Sequence, residues 1–120
     1  MKLRVLLLGI AISAHACGGD TARGSLCADT QAALRPAEGL DLTRDAGVAK
    51  YRAMLIEVGT LAESLIESDR ATVAPKLDAV IAELDASLAG QGSSWSSADL
   101  METLWDWCGH DVGLAYFVQP

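Results

Sequence analysis

VAKYRAMLIEVGTLAESL, residues 48–65, is the stretch whose reading decides the fold. Its apolar residues Val48, Tyr51, Leu55, Val58, Ala62 and Leu65 recur at intervals of three and four, the period of one face of an α-helix. Met54, Leu61 and Ile66 widen that stripe beyond a two-position seam, so the helix is expected to face two neighbours. Lys50, Arg52, Glu57, Glu63 and Glu67 occupy much of the opposite side. Asp41 or Thr43 supplies the N-cap, because a short side-chain oxygen can accept one of the unpaired N–H groups of a first turn. Gly47 and Gly59 each cost about 1 kcal/mol relative to Ala inside a helix. Of the two, Gly59 is the expected bend or point of close helix approach.

Working outward, weaker helices flank this one. On the N-terminal side Ser25 can cap a short helix carrying Leu26, Thr30, Ala33 and Leu34 on one side, with Cys27 adjacent. Pro36 ends it by pushing the residue before it out of the helical region. On the C-terminal side Ser68-Asp69-Arg70 reads as a turn, followed by a third helix that starts between Thr72 and Pro75. Its apolar face is Val73, Leu77, Val80, Ile81, Leu84 and Leu88, and Gly90 stops it. Ser96-Ser97-Ala98-Asp99 resembles a capping box, with Trp95 placed to staple onto Leu100. The fourth helix then carries Leu100, Leu104, Trp107 and Cys108 and ends at Gly109 or Gly113. With short connections and no sustained strand alternation, the expected class is all-α, a small antiparallel four-helix bundle.

The N-terminus carries a different signal. Lys2 and Arg4 precede an apolar run from Val5 to Ile12, interrupted only by Gly9, and Ala14-His15-Ala16 closes it with small residues. That order of basic, apolar and small segments is a secretory signal peptide, and the run is far short of the roughly 20 apolar residues a membrane span requires. Cutting after Ala16 leaves Cys17 first. Residues 1–17 thereby resemble a bacterial lipoprotein signal, although Ala14 and His15 replace the usual Leu and small residue. The resemblance implies lipidation of Cys17 and attachment to a membrane of the cell envelope. Ordinary signal peptidase would accept Ala14-His15-Ala16 too, leaving a freely secreted chain with an unmodified Cys17.

Cysteine parity bears on the choice. Cys17, Cys27 and Cys108 are an odd number for an exported chain. A lipidated Cys17 leaves Cys27 and Cys108 as a pair that an oxidising compartment favours joining. Their bridge would close a loop of about 80 residues, worth on the order of 4 kcal/mol in the chain-entropy model. The expected organisation is a signal peptide over 1–16, a Gly-rich tether over 17–24, a helical domain over 25–113 and an apolar tail over 114–120.

Charge excludes some functions. The 120-residue chain has a formal net charge of −7, which becomes −9 once Lys2 and Arg4 leave with residues 1–16. Such a surface disfavours nucleic acid and anionic lipid headgroups, both of which reward clustered Lys and Arg. There is no Gly-rich phosphate loop, no H-E-x-x-H, no G-x-S-x-G and no C-x-x-C, and no cofactor is expected. Asp106 and His110, four apart, could share a divalent metal, but no third ligand accompanies them and no metal site is assigned. Glu63, Glu67 and Asp69 read as solvated charge on a polar face.

Three tryptophans remain. Trp105 and Trp107 are two apart and point about 200° from each other on a helix, so both cannot enter one core. Trp107 shares a side with Leu100 and Leu104; Trp105 falls at the boundary, where exposed Trp commonly anchors an interface. Trp105 and Phe117 are the candidate partner-binding residues. The tail from Leu114 to Val118, apolar and uncharged, is expected to dock and shield part of Trp105. The function so read is a membrane-tethered helical lipoprotein that binds an envelope protein. The alternative is a secreted small ligand carrier or enzyme with a pocket between helices.

Overall fold

The computed structural model describes residues 18–91, 95–115 and 117–118. Among them the chain is all-α apart from one two-residue strand pairing, with four α-helices: α1 (Gly18–Leu34), α2 (Asp45–Ala62), α3 (Glu67–Leu88) and α4 (Ala98–Cys108). A 3₁₀ turn over Arg35–Gly39 follows α1, with Pro36 in its opening positions where a missing N–H costs least.

The stripe of α2 is the centre of the core. Val48, Tyr51, Leu55, Val58 and Ala62 are all buried, and Leu65 is buried just beyond the helix end. Met54 and Leu61 pack half-buried at the edges, whereas Ile66 departs from the expected stripe and stays 48% exposed. The reason is that α2 stops at Ala62, so Ile66 belongs to a turn rather than to the helix face. Against this stripe pack Leu26 and Leu34 of α1, Val73, Leu77, Val80 and Leu84 of α3, and Leu100 and Leu104 of α4.

Helix α1 begins seven residues ahead of Ser25, and this corrects the reading of residues 18–24 as a flexible tether. Those residues form its first turns. Glycine composition argues for flexibility, but Ala22 packs on the core and Arg23 is tied to α3, and such tertiary contacts outweigh local propensity. Helix α3 likewise starts earlier than expected. Ser68-Asp69-Arg70 is helical, and the turn lies at Glu63–Ile66, closed by Leu65 N–H to the Ala62 carbonyl at 3.1 Å. Pro75 therefore sits within the helix instead of opening it. Glu67 and Asp69 in the first turn complement the positive end of the helix, and Arg70 donates to the Leu65 carbonyl at 3.1 Å.

Neither expected cap operates as drawn. The Asp41 carboxylate receives Thr43 N–H at 3.0 Å and Arg44 Nε at 3.1 Å, so it organises the turn before α2 while Arg44 occupies the N-cap. The Ser96 hydroxyl accepts Ala98 N–H at 3.1 Å, but Ser97 holds the N-cap of α4 and its side chain is turned into the core. Two of the helices, α3 and α4, end at glycine. At the end of α3, Gly90 at φ 76° lets Gln91 N–H reach the Ala86 carbonyl and Gly90 N–H the Ser87 carbonyl, a Schellman closure. At the end of α4, Gly109 at φ 77° donates to the Trp105 carbonyl at 2.7 Å.

Two features join the chain ends to this frame. Cys27 of α1 and Cys108 of α4 form a disulfide with a Cα–Cα distance of 5.7 Å, inside the range such bridges require. Two short strands, β1 (Trp95–Ser96) and β2 (Phe117–Val118), pair antiparallel with Trp95 opposite Val118 and Ser96 opposite Phe117. The strand pairing was not expected from sequence, because two residues are too few to show an alternation.

Candidate interaction surface

The tail is built onto Tyr51. This ring is 0% exposed, with its centroid 5.3 Å from that of buried Trp95. Its hydroxyl accepts Ala115 N–H at 2.9 Å and lies 3.1 Å from Ser97 Oγ and 3.3 Å from the Ala115 carbonyl. A buried polar tip needs such partners, and here they come from the N-cap of α4 and from the tail. Burial pushes the Tyr51 phenol above its ordinary pKa, with the bonds to Ser97 and Ala115 opposing. Leu114 is buried and Gly113 passes close to Leu34, so the first part of the tail docks across α1 and α2. The expected shield over Trp105 is another matter: Trp105 keeps 49% of its surface exposed. Phe117 contributes backbone to β2; its side chain and Tyr116 lie outside the described residues, as does Cys17.

The two tryptophans of α4 diverge as their spacing requires. Trp107 turns toward α1, where the Arg23 guanidinium carbon stands 4.4 Å from its ring centroid. The same guanidinium makes two 2.7 Å hydrogen bonds to the Asp69 carboxylate, whose side chain is only 7% exposed. Bidentate pairing of this kind combines charge with fixed geometry. The hydrogen bonds from Arg23 hold the Asp69 carboxyl below its usual range, against the upward push of burial. Asp69 is thus a correction: it is not solvated charge like exposed Glu63 and Glu67 but a buried partner linking α3, α1 and α4. The signal was present. Asp69 lies four residues before Val73 and eight before Leu77, on the apolar stripe of its own helix.

Trp105 turns outward and lines a shallow hollow of about 500 Å³ with Ala98, Met101, Glu102 and Asp106. Nearby, Lys76 of α3 donates to Thr103 Oγ1 at 2.6 Å and stands 3.6 Å from the Asp99 carboxylate. A second groove of about 370 Å³ runs between α2 and α3, lined by Ile56, Thr60, Arg70, Asp78 and Ile81 among others. His110 is exposed at the end of α4, with Nδ1 2.9 Å from the Asp111 carbonyl. Among the described residues no three His, Cys, Asp or Glu side chains gather in a way that could hold a metal ion. Nor is any described helix long and apolar enough to cross a membrane.

Against family models, curated proteins and solved structures, the chain finds no match. Function therefore has to be argued from these residues. Among the described residues, the clearest chemical feature of the arrangement is on α4. It is a large, half-exposed aromatic side chain in an acid-flanked hollow on a disulfide-bridged domain.

Proposed function

We propose that this chain is an exported lipoprotein of the bacterial cell envelope, tethered to a membrane through Cys17, whose helical domain acts by binding a protein partner. The observation that carries the binding role is Trp105, 49% exposed on α4 when the neighbouring Trp95 and the apolar stripes are buried. Leaving so large an aromatic in water forgoes about 1.5–3 kcal/mol of burial, which a partner can recover. The Cys27–Cys108 bridge supports export, since disulfides persist in oxidising compartments. A mainly apolar interior, in which buried Ser97 and Asp69 are engaged by Tyr51 and Arg23, supports a binding role over chemistry between the helices. Within this reading the helices form an antiparallel four-helix bundle. The pairing of Arg52 with Asp85 near one end of α2, and the approach of Gly59 to Leu77 near the other, support opposite directions for α2 and α3.

With α1 starting at Gly18, the lipid on Cys17 would be attached directly to a helix and the domain held close to the membrane surface. Acyl chains contribute about 0.8 kcal/mol per buried CH₂. Mass spectrometry of the mature N-terminus tests the anchor: a diacylglyceryl-modified Cys17 is expected, and Cys17→Ser should move the protein from the membrane to the soluble fraction. A soluble wild-type chain with an unmodified Cys17 refutes the anchor. A photocrosslinker at position 105 tests the partner role in intact cells, where absence of any adduct refutes it.

A further inference from the structure

Arg23 shows how this domain holds a cation. The guanidinium is stacked on Trp107 at 4.4 Å and gripped by both oxygens of Asp69 at 2.7 Å, so an aromatic face and a carboxylate share one positive group. Trp105 has the first two of those parts and lacks the third. Its ring lines a hollow with the carboxylate residues Glu102 and Asp106, and with Met101 and Ala98 as apolar floor. Helix α4 contains Asp99, Glu102 and Asp106 and no Lys or Arg. Lys76, the cation seated against this helix from α3, is engaged by Thr103 and Asp99 and does not line the hollow.

We infer that this hollow is the docking site for a cationic, partly apolar segment of a partner protein. An Arg or Lys of that segment stacks on Trp105 and meets Glu102 and Asp106, while an adjoining apolar side chain covers Met101. The inference rests on the reading of Trp105 as the partner-binding residue and adds the chemistry of what binds. Charge complementarity selects this occupant. A second copy of the chain would bring Asp99, Glu102 and Asp106 against like charges, on a processed molecule whose formal net charge is already −9. An acidic segment would meet like charges, and an apolar one would strip water from two carboxylates without returning a hydrogen bond to them.

The experiment uses the purified processed protein in detergent and two synthetic peptides of equal length, one of Leu and Arg, one of Leu and Glu. Isothermal titration at low and moderate salt is the readout. The Leu/Arg peptide should bind at one site, weaken with salt, and lose about tenfold or more in affinity on Trp105→Ala. The shape-preserving pair Glu102→Gln with Asp106→Asn should cause a comparable loss, and it guards against a Trp105 variant that folds poorly. The Leu/Glu peptide should not bind. Equal binding of both peptides through Trp105 refutes the cationic preference while leaving the partner face intact. Leu/Arg binding that neither variant weakens refutes the site, as does absence of binding. Sedimentation showing a dimer that Trp105→Glu dissolves refutes it also, naming a second copy as the occupant. The partner reading itself stands or falls separately, on crosslinking from position 105 in cells.

Discussion

Replacing Gly47 with Ala should destabilise the domain, although helix propensity alone predicts the reverse. Gly47 is the third residue of α2, and Ala there would be favoured by about 1 kcal/mol if nothing else changed. The space is already taken. A Cβ on Gly47 would collide with the Asp41 carbonyl oxygen and stand 2.7 Å from its carbon, both backbone atoms that cannot rotate away. Ordinary contact requires that carbonyl to retreat by more than 1 Å, which would break the 3.2 Å bond it receives from Arg44 N–H and pull the Asp41 carboxylate from Thr43. Two such bonds at about 0.5–1.5 kcal/mol each, with about 1–3 kcal/mol of overpacking strain, outweigh the propensity gain of about 1 kcal/mol and leave a net loss of roughly 1–5 kcal/mol. Urea unfolding followed by far-ultraviolet circular dichroism measures it. With a slope of about 1–3 kcal/mol per molar, the midpoint should fall by about 1 M. Gly59→Ala is the internal control. Its added Cβ would meet only the Cδ2 of Leu77 at 3.2 Å, a side-chain end that can swing aside, so the midpoint should move much less. A Gly47→Ala protein as stable as wild type, or more so, would refute the steric reasoning.

Other perturbations separate the remaining contributions. Asp69 has its carboxyl pKa lowered in the folded state by Arg23, so the stability it supplies is present above the unfolded value near 4 and is lost as pH falls through the folded value. Unfolding midpoints of wild type and Asp69→Asn should therefore differ at pH 6 and converge as pH falls through the folded value, and parallel curves would exclude the pair as the cause. Tyr51, with its pKa raised by burial, contributes stability that is intact below pH 10 and declines as pH rises toward the folded value. Tyr51→Phe should cost about 1–3 kcal/mol by leaving Ser97 Oγ and Ala115 N–H unpaired, and amide hydrogen exchange at Ala115 should quicken markedly. Replacing both Cys27 and Cys108 by Ser, which opens a crosslink between residues 81 apart, should lower stability by about 4 kcal/mol. A loss below about 1 kcal/mol would show that the unfolded chain is not the state the bridge constrains.

The arrangement of buried polar groups says how so small a core holds a defined shape. Ser97 is fully buried and Asp69 nearly so, and each is satisfied by a residue 46 positions away, Tyr51 and Arg23 respectively. Removing either partner strands the other in a low-dielectric site, which is why these contacts specify the packing of helices as well as stabilising it. The domain's apolar stripes bring the helices together; these two links and the disulfide decide which residues meet.

Much of this was legible in the residues themselves. The stripe from Val48 to Leu65 and the divergence of Trp105 from Trp107 follow from local period and two-residue spacing, Gly109 is one of two glycines able to stop α4, and parity of cysteines, with Cys17 set aside, points to the Cys27–Cys108 bridge; none of these needs knowledge of distant neighbours. What needed the tertiary structure is of one kind. The helical state of residues 18–24, the delivery of Arg23 to Asp69, the inward turn of Ser97 and the hydrogen bonds that tie Ala115 to Tyr51 all depend on a partner at least 40 residues away in sequence. Gly47 required it too: its role rests on the turn at Asp41 folding back against α2, and the sequence shows only that both residues are there. Periodicity reports which face of an element is apolar. Which polar group is carried into the interior depends on whether another element delivers its counterpart, and that is settled only when the helices pack.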